Sequence, residues 1–328
     1  MMTGTIPLPQ ITLGNGGPTI GIQGLGCMGM SEFYGDTDET EARATLERAL
    51  ELGVTMFDTA DVYGIGENER FLAPFIKAHR GDAVIATKFG YARTPEVPDD
   101  WSLDNRPAFI RRAAENSLQR LGIEVIDLYY MHRRSDDVPL AESIGAMADL
   151  VTEGKVRALG LSAVSALELR EAHAIHPIAA LQSEWSIFTR DIEAEVVPAA
   201  IELGVTIVPY SPLGRGMLTG QAFAENLGAG DARSNFPRFS AENRNANMRL
   251  VTRIEEVAER LGSTTAAQVA IAWLYAKAGE LGVAVSPIPG TRNRMRLEEN
   301  AAAASLTLEA TTIAALEPLA REVAGIAV

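Results

Sequence analysis

Basic side chains are scarce in this 328-residue sequence: 29 lysines and arginines stand against 43 aspartates and glutamates, a net charge of −14. That balance argues against a nucleic-acid binder, which needs a basic footprint. Cysteine is nearly absent. Cys27 is the single one, which excludes an internal disulfide and points to a reducing, cytoplasmic setting. No apolar run approaches the roughly 20 residues that span a bilayer, so no membrane association is expected. Residues 1–10 lack a basic region followed by an apolar one, and no secretory signal is expected. Histidines number four; His173 and His176 have no third ligand nearby, so no metal site is expected.

What is plentiful is apolar residues, 47% of the chain, enough for a large core. They come in short β-like runs, each followed by a helical pattern. The runs are Ile22–Gly26, Val54–Asp58, Ala83–Lys88, Ile126–His132, Val156–Leu161, Ile178–Gln182, Val205–Tyr210 and Val283–Pro287. Helices are predicted at Asp38–Leu52, Glu67–Arg80, Pro107–Leu121, Leu140–Glu153, Ala166–His173, Glu193–Leu203 and Thr265–Ala278. Eight strands alternating with helices imply parallel crossovers, and eight is the number that closes a TIM (β/α)8 barrel. Residues 10–22 read as a β-hairpin with an Asn-Gly turn, placed at the bottom of the barrel. Residues 214–247 read as a long polar loop after the seventh strand. Nothing suggests a second domain, so residues 1–328 are taken as one.

Three of the apolar runs end in polar residues, Asp58, Lys88 and His132, and Tyr63 follows Asp58 by five positions. Strand C-termini are where a barrel carries its chemistry. An acid, an amine, an imidazole and a phenol gathered there make a proton-transfer site. Position alone leaves Lys88 open between a Schiff-base nucleophile, as in an aldolase, and a plain ion pair with Asp58. Asp61 and Asp127 are expected to cap or face solvent, and His79 to be solvated at a helix end.

The motifs DTADVYG (58–64), ATKFG (86–90), YYMH (129–132), GKVRALGLS (154–162), LQSEWS (181–186), PYSPLGRG (209–216) and PIPGTRNRMRLEEN (287–300) together resemble the aldo-keto reductases. The resemblance runs from about residue 20 to the end of the sequence. It implies a hydride from a nicotinamide cofactor, NADPH foremost with NADH as the lesser expectation, and reduction of an aldehyde or ketone. Tyr63 would be the general acid, Lys88 would lower its pKa, Asp58 would keep Lys88 charged, and His132 would orient the carbonyl. By the same resemblance Ser162 and Gln182 bind the carboxamide, Tyr210 stacks on the nicotinamide, Ser211 contacts the cofactor, and Leu213, Gly214 and Arg215 meet the pyrophosphate. Gly290, Thr291, Arg292 and Arg296 would form the 2′-phosphate pocket, with Glu299 and Asn300 at the adenine. Arg215, Arg233 and Arg238 would suit a phosphate clamp.

Two departures bear on the cofactor: Ala163 stands where many members have Asn, and Gly290 where many have Lys. Gly24-x-Gly26-x-x-Gly29 matches a dinucleotide fingerprint formally, but no helix pattern follows it, so the glycines are read as letting backbone approach the barrel mouth. Cys27 is read as a small apolar filler. Phe33, Tyr34, Phe89, Trp101 and Trp185 are expected to wall a substrate pocket without a fixed charge, suited to neutral aldehydes or ketones. Two other functions remain in view: a nicotinamide-binding regulatory subunit with little turnover, and the Lys88 aldolase.

Overall fold

The computed structural model describes residues 7–220 and 231–326. A two-stranded antiparallel hairpin, β1 (Gln10–Thr12) and β2 (Thr19–Gly21), precedes seven parallel strands in sequential order. These are β3 (Leu25–Gly26), β4 (Met56–Asp58), β5 (Val84–Phe89), β6 (Ile126–Met131), β7 (Val156–Ser162), β8 (Ile178–Glu184) and β9 (Thr206–Tyr210). The eighth wall is the segment around 284–290. It is not a continuous strand, yet it bridges both neighbours, through Ile207–Val285 on one side and Gly26–Gly290 on the other. Ser286 N donates to Ile207 O at 3.0 Å, and Gly24 N donates to Pro287 O at 3.0 Å. Pro287 and Pro289 have no N–H, so the ladder expected at Val283–Pro287 is interrupted, but the ring still closes as a (β/α)8 barrel.

Helices α1 (Glu39–Glu51), α2 (Glu67–Ala78), α3 (Pro107–Leu121), α4 (Leu140–Thr152), α5 (Ala166–Ile175) and α6 (Val196–Leu203) follow successive strands. Their ends follow local chemistry. Asp38 caps α1 by accepting from Thr40 N at 2.9 Å, and Ser165 with Glu168 forms a capping box on α5. Two further long helices follow β9, α7 (Ala241–Arg260) and α8 (Ala266–Leu281), and then α9 (Arg294–Ala302). The expected 214–247 loop is therefore shorter: its last residues begin α7, and residues 221–230 lie outside the described residues. Leu250, Val251, Ile254, Val257 and Ala258 bury one face of α7 at helical spacing.

The hairpin plugs the bottom of the barrel. Leu13 and Ile20 are buried in one cluster with the barrel-lining Met56, Ala86, Leu128, Ala158, Ala180 and Val208. Gly14 (φ +54°) presses on β8, where a Cβ would come within 2.7 Å of Ala179 backbone, and its N–H donates to Thr206 Oγ1 at 2.9 Å. Only glycine tolerates both the contact and the dihedral.

Two acidic residues are not where they were expected. Asp127 is buried, gripped by Arg80 (2.7 and 2.9 Å), Arg157 (2.7 Å) and Ile85 N (2.9 Å). Asp61 is half-buried, one of its oxygens is enclosed with no partner among the described residues, and burial pushes its carboxyl well above the usual range. His79 is not merely solvated either: Nε2 lies 2.9 Å from Glu47.

Candidate active site

Strand pleating builds the site. Side chains two apart share a face, so the strand that sends Met56 into the barrel also sends Asp58 there, one layer higher. The same alternation pairs Ala86 with Lys88, Ala158 with Ser162 through Gly160, Ala180 with Gln182, and Val208 with Tyr210. Gly160 makes room: a Cβ there would meet the Tyr130 ring at 2.4 Å. His132 lies one residue beyond β6, and His132 N is held by Phe89 O at 2.8 Å.

Lys88 is fully buried, and such an ammonium needs acceptors. It has three, matching its three donors: Asp58 Oδ1, Thr59 O at 2.7 Å and Tyr63 Oη at 3.2 Å. Burial works against the charge, but Asp58 and Tyr63 outweigh it and hold the Lys88 pKa above its ordinary value. Gln182 Nε2 donates to the other Asp58 oxygen at 2.7 Å.

Lys88 acts on the phenol in the expected direction, but burial sets the net shift. Burial raises the Tyr63 pKa, and although Lys88 and Arg133 pull it down, the net shift is upward. Burial also pushes His132 well below its usual range, helped by Lys88 and Arg133, so the imidazole is neutral. Its orientation comes from edge-on packing against Tyr63 (5.8 Å) and Tyr91 (5.2 Å). Tyr63 is positioned by its neighbours: Glu32 accepts from Gly64 N at 2.7 Å and pairs with Arg93 at 2.8 Å, and Arg93 lies 4.5 Å over Trp101.

Asp58, Tyr63 and His132 open into a cavity of about 860 Å³. Ser162, Gln182, Tyr210, Ser211, Leu213 and Arg215 line it, as do Gly290, Thr291, Arg292, Arg296, Glu299 and Asn300. Gly214 lies in the same turn (φ +56°) but does not line the cavity. The Asn300 side chain is buried there with no hydrogen bond among the described residues, a polar group left for a ligand to satisfy. Thr291 and Arg296 line the cavity beside it.

Three expectations are corrected: Phe89, Trp185 and Arg238 do not line the cavity. Phe89 follows Lys88, so the pleat that turns Lys88 inward turns Phe89 outward, into the helix layer against Tyr129. Trp185 is buried between β8 and the helices, with Nε1 on Glu193 at 2.9 Å and its ring against Trp273. Neither lines the cavity. Arg292 does line it, but its guanidinium is engaged by Gly29 O (2.8 Å), Tyr34 O (2.7 Å), Gly35 O (3.2 Å) and Thr37 Oγ1 (2.9 Å). It clamps the β3–α1 loop. Arg238 likewise binds Thr189 Oγ1 (2.7 Å) and stays outside the cavity, while Arg233 pairs with Asp231 at 2.7 Å at its edge. Of the glycine triplet, Gly26 and Gly29 line the cavity and Gly24 ties β3 to the eighth wall.

Phe33, Tyr34 and Trp101 do wall the cavity, joined by Tyr91, which the sequence reading passed over. Tyr91 packs on Trp101 at 5.7 Å. Arg133 was also missed, and it gives the cavity a fixed charge beside His132. Its adjacency to His132 in sequence was the available signal, but a reading confined to strand ends stops one residue short.

The comparisons agree with this geometry. Residues 23–321 match the model of the Aldo/keto reductase family. The chain is 42% identical over 303 residues to "Probable aldo-keto reductase 1" of Glycine max, covering 92% of this chain and 86% of that one. Among solved structures it resembles the glycerol dehydrogenase AKR11B4 from Gluconobacter oxydans, with TM-score 0.83, 28% identity, and coverage of 98% and 97%. It also resembles the holo form of aldo-keto reductase AKR11C1 from Bacillus halodurans, with TM-score 0.74, 28% identity, and coverage of 95% and 96%. A buried lysine shared between a carboxylate and a phenol, at the mouth of a (β/α)8 barrel, thus has its explanation: the chain belongs to the aldo/keto reductase family and is an NAD(P)H-dependent oxidoreductase.

Proposed function

We propose that this chain, acting as one barrel domain in the cytoplasm, reduces aldehydes or ketones to alcohols with NADPH, using Tyr63 as the general acid. The observation that carries the reading is the Lys88 ammonium shared by Asp58 and Tyr63 Oη (3.2 Å), with the phenol opening into the large cavity. A nicotinamide cofactor bound in that cavity supplies the hydride. The chain does the rest. Tyr63 gives its proton to the carbonyl oxygen, and Lys88 steadies the phenolate left behind. Neutral His132 donates a hydrogen bond to the same oxygen. Run backwards, the phenolate takes the proton of an alcohol, the direction named for the glycerol dehydrogenase relative.

Ser162 and Gln182 suit the carboxamide and Tyr210 the nicotinamide face. NADPH is favoured over NADH because Thr291 and Arg296 line the cavity around the start of α9, a hydroxyl and a guanidinium suited to a phosphate. With Gly290 in place of a lysine, Arg296 carries most of that selectivity. The aldolase alternative suits the site poorly: a Schiff base needs a neutral, accessible amine, whereas Lys88 is buried with every donor engaged. Replacing Tyr63 with Phe tests the acid. Turnover should fall about 10²–10⁴-fold while NADPH still quenches tryptophan fluorescence; turnover at the wild-type rate would refute the assignment.

A further inference from the structure

Arg133 is a half-buried arginine at the reacting end of the cavity. Its Nη1 donates to His132 O at 2.7 Å and to Ser162 Oγ at 2.9 Å, and its guanidinium lies 5.8 Å from the Tyr210 ring centre. Both hydrogen-bond acceptors are neutral. No carboxylate among the described residues pairs with it, in a chain where acids outnumber bases by 43 to 29. Two other cavity arginines differ: Arg233 is paired with Asp231, and Arg292 holds loop carbonyls. Partly desolvating a guanidinium costs free energy unless a counter-charge arrives, and this one has five N–H donors in a fork suited to a carboxylate. Its charge also reaches the reacting groups. After burial and Lys88 it is the next influence depressing His132, and it opposes the rise of Tyr63.

Resting on the carbonyl-reductase reading above, we infer that Arg133 selects substrates bearing a carboxylate a short distance from the carbonyl. With His132 and Tyr63 holding the carbonyl oxygen, the residue next to His132 takes the anion. Phe33, Tyr91 and Trp101 cover the apolar body between them. The pocket is therefore amphipathic, with aromatic walls and one cation, rather than the neutral pocket that the aromatic residues alone imply.

The test uses 3- and 4-carboxybenzaldehyde, each against its methyl ester, which keeps the ring and removes the charge. For the wild type, kcat/KM with NADPH should favour the acid by about tenfold or more in at least one isomer, the scale of one charge-assisted pair. The acid-to-ester ratio should fall to about one or below in both Arg133→Gln and Arg133→Met; the ratio cancels general losses, including any disturbance of Ser162. Equal or better use of both esters by the wild type overturns the inference while leaving the reductase reading intact. So does a preference that survives both variants, or a rise in KM for NADPH with the ratio unchanged, which would assign Arg133 to the cofactor diphosphate. If none of the aldehydes is reduced although NADPH binds, the reductase reading itself fails and the inference with it.

Discussion

Gln182 reaches across the barrel from β8 to the Asp58 carboxylate on β4, with Nε2 2.7 Å from Oδ2. The other Asp58 oxygen holds Lys88, so both faces of a nearly fully buried carboxylate are engaged. Gln182→Leu leaves Oδ2 without a donor, and a buried acceptor so stranded costs about 1–3 kcal/mol. Urea unfolding should show a loss of that size. An unchanged midpoint would mean that Asp58 does not depend on Gln182.

A second buried carboxylate ties the helices beneath the site. Glu69 on α2 accepts from Thr87 Oγ1 on β5 at 2.6 Å and from Arg120 Nε on α3 at 2.5 Å. Arg120→Ala should destabilise by about 3–5 kcal/mol, because it strands a buried charge. Arg120→Ala combined with Glu69→Gln should recover part of that loss. If the double variant is no more stable than the single one, the penalty is lost packing and not the stranded charge.

Arg292, just before the N-cap of α9, and Arg296, in its first turn, should separate by cofactor. Arg292 holds the loop at Gly29–Thr37, so Arg292→Ala should weaken NADPH and NADH alike. Arg296→Ala should weaken NADPH by about 10–100-fold, one charge-assisted phosphate contact, and leave NADH within about twofold. Fluorescence titration of both variants with both cofactors decides it; an Arg292 variant that loses NADPH alone would reverse the assignment.

His132 gives a pH dependence of known sign. Burial first, then Lys88 and Arg133, holds its folded pKa well below the ordinary 6.5. Below pH 6.5 the unfolded chain therefore binds a proton that the folded chain does not, and stability falls as pH drops. His173, also depressed by burial, adds in the same direction. The carboxylates held low, such as Glu153 and Asp231, titrate below this window, while Asp61 and Asp58, pushed up by burial, oppose the histidines, so the His132 share is read from the difference between wild type and variant. Between pH 7.5 and 5.5 the His132 contribution should be about 1 kcal/mol. The drop should shrink in His132→Gln; a full drop in that variant would show the imidazole to be protonated in the fold.

Much of this was legible in the residues. Alternating apolar runs located β4 to β9, and Pro107 with Gly122 bounded α3 at both ends. The polar terminators Asp58, Lys88 and His132 marked the site because a barrel strand that ends in a charged residue has few reasons to do so outside its mouth. Helix α7 was missed for a different reason. Its polar face is so rich in Asn, Arg and Glu that composition reads as loop, while Leu250, Val251, Ile254 and Val257 keep helical time beneath it. Phe89 and Trp185 were misplaced because nearness in sequence to a strand end does not fix which face a side chain takes; the pleat does.

The sequence by itself determined the barrel, the positions of the proton-transfer residues and the family, since strand period, helix stops and local motifs are short-range properties of the chain. Tertiary structure decided the rest. It set the upward shift of Tyr63, because burial is a property of everything packed around the phenol. It tied Arg292, which lines the cavity, to the β3–α1 loop, because Gly29 and Tyr34 lie more than 250 positions away along the chain. It also left Arg133 facing the cavity with no carboxylate partner among the described residues, because pairing depends on which distant acids the fold brings near. Each of these is a long-range outcome of packing, and no window of neighbouring residues contains it.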